Sequence, residues 1–232
     1  MNPPARQLTP WHEEVQRIRL ATFGRGIRLI GFTSPCANAG VTSLCTALAT
    51  VTAASGLRTL LVDLSEGPGT GDENPPLWLP GSGNAAVAIP EEPSPFDRLR
   101  AQLTPETRDL FNNSAQLRRT LMDELSEYAA VVVDLAPLKP RFPGAIDAAS
   151  AAAACGNVYL VCVTGEVTKT EVSESVARLH SAGVEILGFI LNEVANPTLG
   201  AELAREIMRF RRLAPRLTAR FAEKLLSSPF LN

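Results

Sequence analysis

Short, almost fully apolar runs alternate with helix-forming segments along most of the chain. Five runs rich in valine, isoleucine and leucine span residues 27–33, 58–63, 129–134, 157–163 and 185–191. Helical spacing or alanine-rich composition marks residues 41–54, 117–128, 145–154 and 168–182. Apolar strands that alternate with helices predict an α/β fold, with a mostly parallel, doubly wound sheet flanked by helices on both faces.

The pattern divides the chain into three parts. Residues 1–26 are a proline-containing lead-in and a helix, residues 27–198 are the α/β domain, and residues 199–232 have a basic, amphipathic helical pattern. A proline- and glycine-rich insertion at about 64–105 predicts a surface subregion, a lid or a partly disordered stretch. The stretch from Leu199 to Leu226 fits either peripheral membrane or partner contact, or packing on the sheet.

Composition narrows the functional class. The 232 residues are 45% hydrophobic and 20% charged with a net charge of -2, which is typical of a soluble globular protein and argues against a nucleic-acid partner. No signal sequence and no apolar run of about 18 residues is found, so we expect a cytoplasmic protein. The four cysteines lack C-x-x-C spacing, which favours reduced thiols over disulfides or metal.

A turn-rich loop, TSPCANAGVTS, joins the first strand to the first long helix at residues 33–43. A small-residue loop that opens a helix is the layout of a phosphate-binding loop, in which backbone amides face an anion. Gly40 and Thr42 match the G-x-x-x-x-G-K-[ST] pattern, but Val41 replaces the lysine and Pro35 replaces the first glycine. The sequence thus predicts the frame of a nucleotide site without its lysine.

Three later strands end in a carboxylate or an amide: LLVD at Asp63, VVVD at Asp134 and GFILN at Asn192. With the loop, they resemble the cytoplasmic kinase domain of bacterial tyrosine kinases (BY-kinases), which partner polysaccharide co-polymerases in exopolysaccharide and capsule synthesis. That family belongs to the MinD/ParA-like group of P-loop ATPases. The resemblance covers about residues 9–195 and implies a P-loop NTPase architecture.

The resemblance also implies which residues form sites. A vestigial nucleotide site would comprise Gly40, Val41, Thr42, Ser43, Asp63, Asp134 and Asn192. Thr42, Asp63 and Asp134 would hold magnesium if MgATP binds. Glu13, Gln16 and Arg19 match the family's E-x-x-R-x-x-R oligomerisation helix, with glutamine in place of the first arginine.

Departures from the family pattern predict a loss of activity. Val41 cannot neutralise phosphate charge, and a charge-assisted contact of that kind contributes about 1.5–3 kcal/mol. Cys36 stands where MinD/ParA relatives carry their signature lysine. The family's C-terminal tyrosine cluster is missing, because Tyr128 and Tyr159 are the chain's two tyrosines. We therefore expect no catalytic residues, no resident cofactor and at most weak binding of MgATP or MgADP.

Three functions fit these features. The first is a catalytically inactive scaffold or regulatory subunit for exopolysaccharide secretion, oligomeric and held at the inner face of the plasma membrane by a co-polymerase or another secretion protein. The second is a divergent MinD/ParA-type ATPase that positions a cell-envelope machine and receives a lysine across a dimer, either Lys139 or Lys169. Lys169 is the better candidate, because it follows the third core strand near the loop edge of the sheet. The third is an unrelated α/β enzyme that binds another anion at the helix of residues 41–54, although no nucleophile–base pair supports it.

Overall fold

The computed structural model describes residues 12–65, 77–90, 93–104, 106–140, 142 and 144–193. The predicted C-terminal segment and part of the predicted insertion lie outside these residues. The chain divides into two compact units, one of residues 1–163 and 167–192 and one of residues 164–166 and 193–232. The sheet, its helices and the site described below belong to the first unit.

A parallel sheet forms the centre of this unit. Its strands in the described part of the chain are β1 (Leu29–Thr33), β2 (Thr59–Leu64), β3 (Asp97–Arg100), β4 (Ala130–Leu135), β5 (Asn157–Val163) and β6 (Glu185–Asn192). They lie in the order β3-β2-β4-β1-β5-β6, and every neighbouring pair is parallel. The predicted α/β class with a parallel sheet is confirmed.

Helices cover both faces of the sheet, as the sequence predicts. They are α1 (Glu13–Ala21), α2 (Val41–Ala54), α3 (Arg108–Phe111), α4 (Ser114–Arg119), α5 (Ala148–Cys155) and α6 (Lys169–Ser181). A 3-10 turn, Phe23–Arg25, follows α1, and a π-helical segment, Thr120–Glu124, follows α4. One apolar core includes α1 and α2, and the other includes α4, α5 and α6. Among the described residues, no helix combines the length and the apolar character needed to cross a bilayer.

Alternation along the strands separates the two cores. In β4, Val131 and Val133 are buried on the side of α5, whereas Val132 is buried on the side of α2. All six residues of β4 are buried. Because a central parallel strand is covered on both faces, its sequence reads as one apolar run rather than as an alternation.

The predicted insertion contributes to the sheet and to a core. Strand β3 lies inside the insertion and is not predicted by the sequence pattern. Its sequence, DRLR, has a single apolar residue, and of its four residues Leu99 alone is buried. Trp78 is also fully buried; its indole N–H donates to the carbonyl oxygen of Arg100 at 2.7 Å, and its ring meets Phe111 edge-on. The described part of the insertion therefore adds a few buried side chains and an edge strand to the domain, while many of its other residues are exposed.

Candidate functional site

A cavity of about 230 Å³ lies at the carboxyl ends of β1, β2 and β4. It is lined by Ser34, residues 37–43, Ser65, Asp134, Leu135 and Pro137. Ligands of open α/β sheets bind at this edge, because the loops that follow the strands meet there. Most of the predicted nucleotide-site residues are therefore brought together here.

Backbone hydrogen bonds fix the loop between β1 and α2. The N–H of Leu138 donates to the carbonyl oxygen of Ser34 at 2.8 Å, and the N–H of Lys139 donates to that of Pro35 at 3.1 Å. Both donors belong to the segment that follows β4. The loop is thus attached to the chain that leaves the neighbouring strand, which holds it over the end of the sheet.

Gly40 makes the turn into α2. Its φ of 83° is in the left-handed region, and a Cβ atom at this position would lie 2.6 Å from Nδ2 of Asn192. That same nitrogen donates to the carbonyl oxygen of Ala39 at 2.9 Å. The structure therefore places Asn192, at the end of β6, against the loop, where its side chain supports the loop backbone and is not among the residues that line the cavity.

Val41 occupies the position of the P-loop lysine, and its side chain is buried. It is 8% exposed and belongs to the apolar core that includes Phe32 and Leu44. Thr42 and Ser43 follow it, are exposed and line the cavity. None of the described residues that line the cavity carries a positive charge.

Two carboxylates lie side by side at the ends of β2 and β4. Asp63 and Asp134 are register partners in these parallel strands and are 4% and 1% exposed. Asp63 accepts hydrogen bonds from the N–H of Ser65 at 3.1 Å and from its hydroxyl at 2.8 Å. Ser65 was not predicted as a site residue; the signal is its position two residues after Asp63, where the family carries a second aspartate.

Asp134 is not satisfied in the same way. Among the described residues, neither of its carboxylate oxygens has a hydrogen-bond partner. Burial, and then the negative charge of Asp63, raise the pKa of Asp134 from 3.8 to about 7. The hydroxyls of Thr42 and Ser65 and the charge of Arg98 oppose this rise only in part; the hydroxyls are close to Asp134 but do not meet hydrogen-bond geometry.

The orphaned oxygens of Asp134 are compatible with a magnesium ion. Thr42, Asp63 and Asp134 would hold it, with phosphate oxygens and water completing its coordination. The described residues contain no cluster of three or more His, Cys, Asp or Glu side chains. A metal here would therefore depend on ligands from outside the protein, and a phosphate would be held by backbone amides without a lysine.

The predicted oligomerisation residues lie on α1 and do not line the cavity. Glu13 forms an ion pair with Arg17 at 2.5 Å, and Nε of Arg19 donates to Oε1 of Gln16 at 3.2 Å. Leu20, at the end of this helix, is exposed. In the single chain, the three residues thus form contacts within their own helix.

The two lysines considered as replacements lie outside the cavity wall. Lys139 and Lys169 are both exposed, and neither lines the cavity. Lys139 is tied to the loop through its backbone, whereas Lys169 begins α6. Neither side chain therefore takes the place of the missing lysine within one chain.

Both tyrosines make contacts within the fold. Tyr128 is 2% exposed and donates its hydroxyl hydrogen to Oδ2 of Asp97 at 2.7 Å. Tyr159 is half-buried and stacks on Phe32 with ring centroids 5.6 Å apart. In this structure, the Tyr128 hydroxyl is held between β3 and the start of β4.

Similarity to solved structures identifies the fold. The kinase domain of the Escherichia coli tyrosine kinase ETK superposes with a TM-score of 0.60 at 26% identity, over 76% of this chain and 71% of that one. The BceF tyrosine kinase domain gives 0.58 at 25% identity, over 78% and 74%. The fold is that of the BY-kinase and MinD-like P-loop family.

A MinD-like neighbour carries a nucleotide at the same kind of fold. The septum site-determining protein MinD of Pyrococcus horikoshii OT3, complexed with Mg-ADP, superposes with a TM-score of 0.54 at 22% identity, over 71% of this chain and 70% of that one. No protein-family model matches the chain, and no curated protein matches its sequence. At this identity, the MinD likeness shows the fold alone.

Proposed function

We propose that this protein is a catalytically inactive relative of the BY-kinases. The observation that carries the proposal is the buried valine at the position of the P-loop lysine, Val41. Phosphoryl transfer depends almost entirely on positioned positive charge. The described cavity wall offers none.

As a scaffold or regulatory subunit, the protein would act in exopolysaccharide or capsule secretion. The resemblance to kinase domains that partner polysaccharide co-polymerases supports this role, and so does the likeness to ETK and BceF. The protein would bind a co-polymerase or another secretion-complex protein at the inner face of the plasma membrane. Its contacts would be α1 and the loop side of the sheet, and the region from Leu199 to Leu226 would supply any peripheral membrane contact.

A divergent MinD/ParA-type ATPase is the second candidate. The attachment of Lys139 to the loop through its backbone favours this lysine over Lys169 as a donor to the site of a second copy. Such an ATPase would dimerise only with nucleotide. That requirement separates the two functions.

Sedimentation velocity of the full chain with and without MgATP tests the proposal. We expect self-association that is the same in both conditions, because the loop does not hold the nucleotide. Dimerisation that appears only with MgATP would contradict the scaffold and support the ATPase.

Two charge reversals on α1 serve as matched variants. Glu13→Lys changes one of the three predicted oligomerisation residues, Glu13, Gln16 and Arg19. Glu14→Lys changes the next residue, which is also exposed and is not one of the three. We expect Glu13→Lys to weaken self-association and Glu14→Lys to leave it unchanged. If the two variants self-associated equally, Glu13 and α1 would not form part of the interface.

A further inference from the structure

The cavity beside the β1–α2 loop has a negative charge balance. Asp134 lines it, and Asp63 is the register partner of Asp134 in the adjacent strand. Above about pH 7, where Asp134 is mostly ionised, the N-terminus of α2 contributes about half of a unit positive charge, less than the combined charge of the two carboxylates. Arg98 acts on Asp134 without lining the cavity and offsets only part of this charge. With valine rather than lysine at position 41, the described lining therefore carries more negative than positive charge.

Asp134 lacks the partner that a cation would provide. Its side chain is 1% exposed, it lines the cavity, and both oxygens are without a hydrogen bond among the described residues. Asp63 differs, because Ser65 donates two hydrogen bonds to it. A buried carboxylate is strongly destabilising unless it is paired, so a basic group that reached Asp134 would form a strong, charge-assisted contact.

The other cavity walls suit an organic cation. Ala37, Ala39, Val41, Leu135 and Pro137 form an apolar part of a lining whose other side chains are hydroxyls, an amide and Asp134. Its volume of about 230 Å³ is below the roughly 300–1,000 Å³ of pockets that enclose a drug-sized ligand. Lysine and arginine carry an apolar stem that ends in a charged group, which matches an apolar wall beside a carboxylate.

A magnesium ion alone fits this cavity less well. Mg²⁺ demands octahedral oxygen coordination and is usually bound by one or two carboxylates together with substrate phosphates. The described residues offer no group of three or more acidic, histidine or cysteine side chains that could hold a metal, so beside Asp134 a bare ion would meet only neutral hydroxyls, an amide and an apolar wall. The stem of a basic side chain, by contrast, would gain contact with that wall.

We propose that the cavity is a socket for a lysine or arginine side chain of a partner protein, which inserts between the β1–α2 loop and the end of β4 to pair with Asp134. This inference deepens the proposed scaffold function and rests on it, since it names the chemistry of the partner segment. The partner would present a basic residue on an exposed, extended stretch that approaches the carboxyl edge of the sheet.

Peptide titrations followed by ¹H–¹⁵N NMR test the socket directly. The probes are acetyl-Gly-Gly-X-Gly-Gly-amide peptides in which X is lysine, arginine or the uncharged norleucine, added to the full chain at pH 8. We expect the lysine or arginine peptide to shift the amide signals of residues 37–43 and to saturate, and the norleucine peptide to leave them unchanged. Equal shifts with all three peptides, or none with any, would overturn the proposal.

Matched variants assign the contact to Asp134. Asp134→Asn keeps the shape of the side chain, and Asp123→Asn makes the same change at an exposed position outside the cavity wall. We expect Asp134→Asn to weaken binding of the basic peptide about tenfold or more, the loss of one charge-assisted contact. Asp123→Asn should bind as the natural chain does, and circular dichroism checks that both variants fold. Equal binding by the two variants would overturn the assignment.

Magnesium chloride without nucleotide is the competing probe. If Mg²⁺ alone shifts the same signals in an Asp134-dependent way and the basic peptides do not, the cavity is an inorganic cation site and the socket is wrong. The socket and the proposed function fail separately. MgATP turnover would overturn the inactive scaffold, whereas absence of peptide binding in a protein without turnover would overturn the socket alone.

Discussion

At the scale of single residues, one substitution changes what the loop can bind. A lysine at position 41 would place a positive charge beside Asp134, whereas Val41 adds a methyl surface to the core. Asp134 then faces the cavity, with Asp63 beside it in the adjacent strand, and no cation is present among the described residues that line it. The raised pKa of Asp134 is the electrostatic consequence, because burial and Asp63 both disfavour its charged form.

This electrostatic state makes the stability of the fold depend on pH. Asp134 has a pKa of about 7 when folded and 3.8 as an ordinary aspartate. Between these two pKa values the folded state binds the proton of Asp134 more tightly than the unfolded state does. The free energy of unfolding therefore falls as pH rises, and above about pH 7 the full cost of the buried, ionised carboxylate is present. Relative to an Asp134→Asn variant, we expect the natural chain to lose roughly 2–3 kcal/mol between pH 5 and pH 8.

Urea denaturation of both proteins at the two pH values measures this loss. Asp123→Asn is the control, since Asp123 is exposed, and it should show the pH dependence of the natural chain. If the free energy of unfolding changed equally with pH in the natural chain and in Asp134→Asn, the raised pKa of Asp134 would be contradicted.

Sequence patterns predict which site residues meet, but not their electrostatic state. Gly40, Asp63, Asp134 and Asn192 could be predicted as neighbours, because the carboxyl ends of parallel strands meet at one edge. The hydrogen bonds from Ser65 to Asp63, and their absence at Asp134, depend on side-chain positions that spacing does not encode.

At the scale of elements, the helix predicted over residues 117–128 is interrupted. Helix α4 ends at Arg119, and a π-helical segment, Thr120–Glu124, follows it. Arg28, at the start of β1, donates from its guanidinium to the carbonyl oxygens of Leu121, Met122, Leu125 and Tyr128. The carbonyl oxygens at the end of this segment are thus satisfied by a side chain about 95 residues away in sequence. Local periodicity cannot predict such a contact.

Replacing Arg28 tests that contact. Arg28→Lys keeps the charge, but one ammonium cannot reach carbonyl groups that the planar guanidinium bridges. We expect a loss of about 1–3 kcal/mol in the free energy of unfolding, because partly buried carbonyl groups lose their donors.

Chemical denaturation measures this effect, with Arg17→Lys as the matched control. Arg17 is exposed and forms an ion pair with Glu13, which is also exposed. Its replacement should therefore change the free energy of unfolding by less than about 0.5 kcal/mol. Equal effects of the two substitutions would show that the contacts of Arg28 contribute no more than a surface ion pair.

At the scale of the whole molecule, the P-loop fold persists without its charge. The sheet order, the loop that opens α2 and the carboxylates at the strand ends are retained, and known kinase domains superpose on them. The central strands could be predicted because they are apolar throughout, and the edge strand β6 because its sequence EILGFILN is still mostly apolar. The other edge strand, β3, could not, because DRLR contains a single apolar residue.

Calorimetric titration of the purified chain with MgADP and MgATP tests the central claim most directly. The natural chain should give no binding heat, and Val41→Lys should regain binding, because the lysine restores positive charge beside the loop amides. Val41→Met introduces a side chain similar in length to lysine but uncharged, and it should give no binding heat. Micromolar binding by the natural chain would contradict the account, since it would show that the loop holds nucleotide without a lysine.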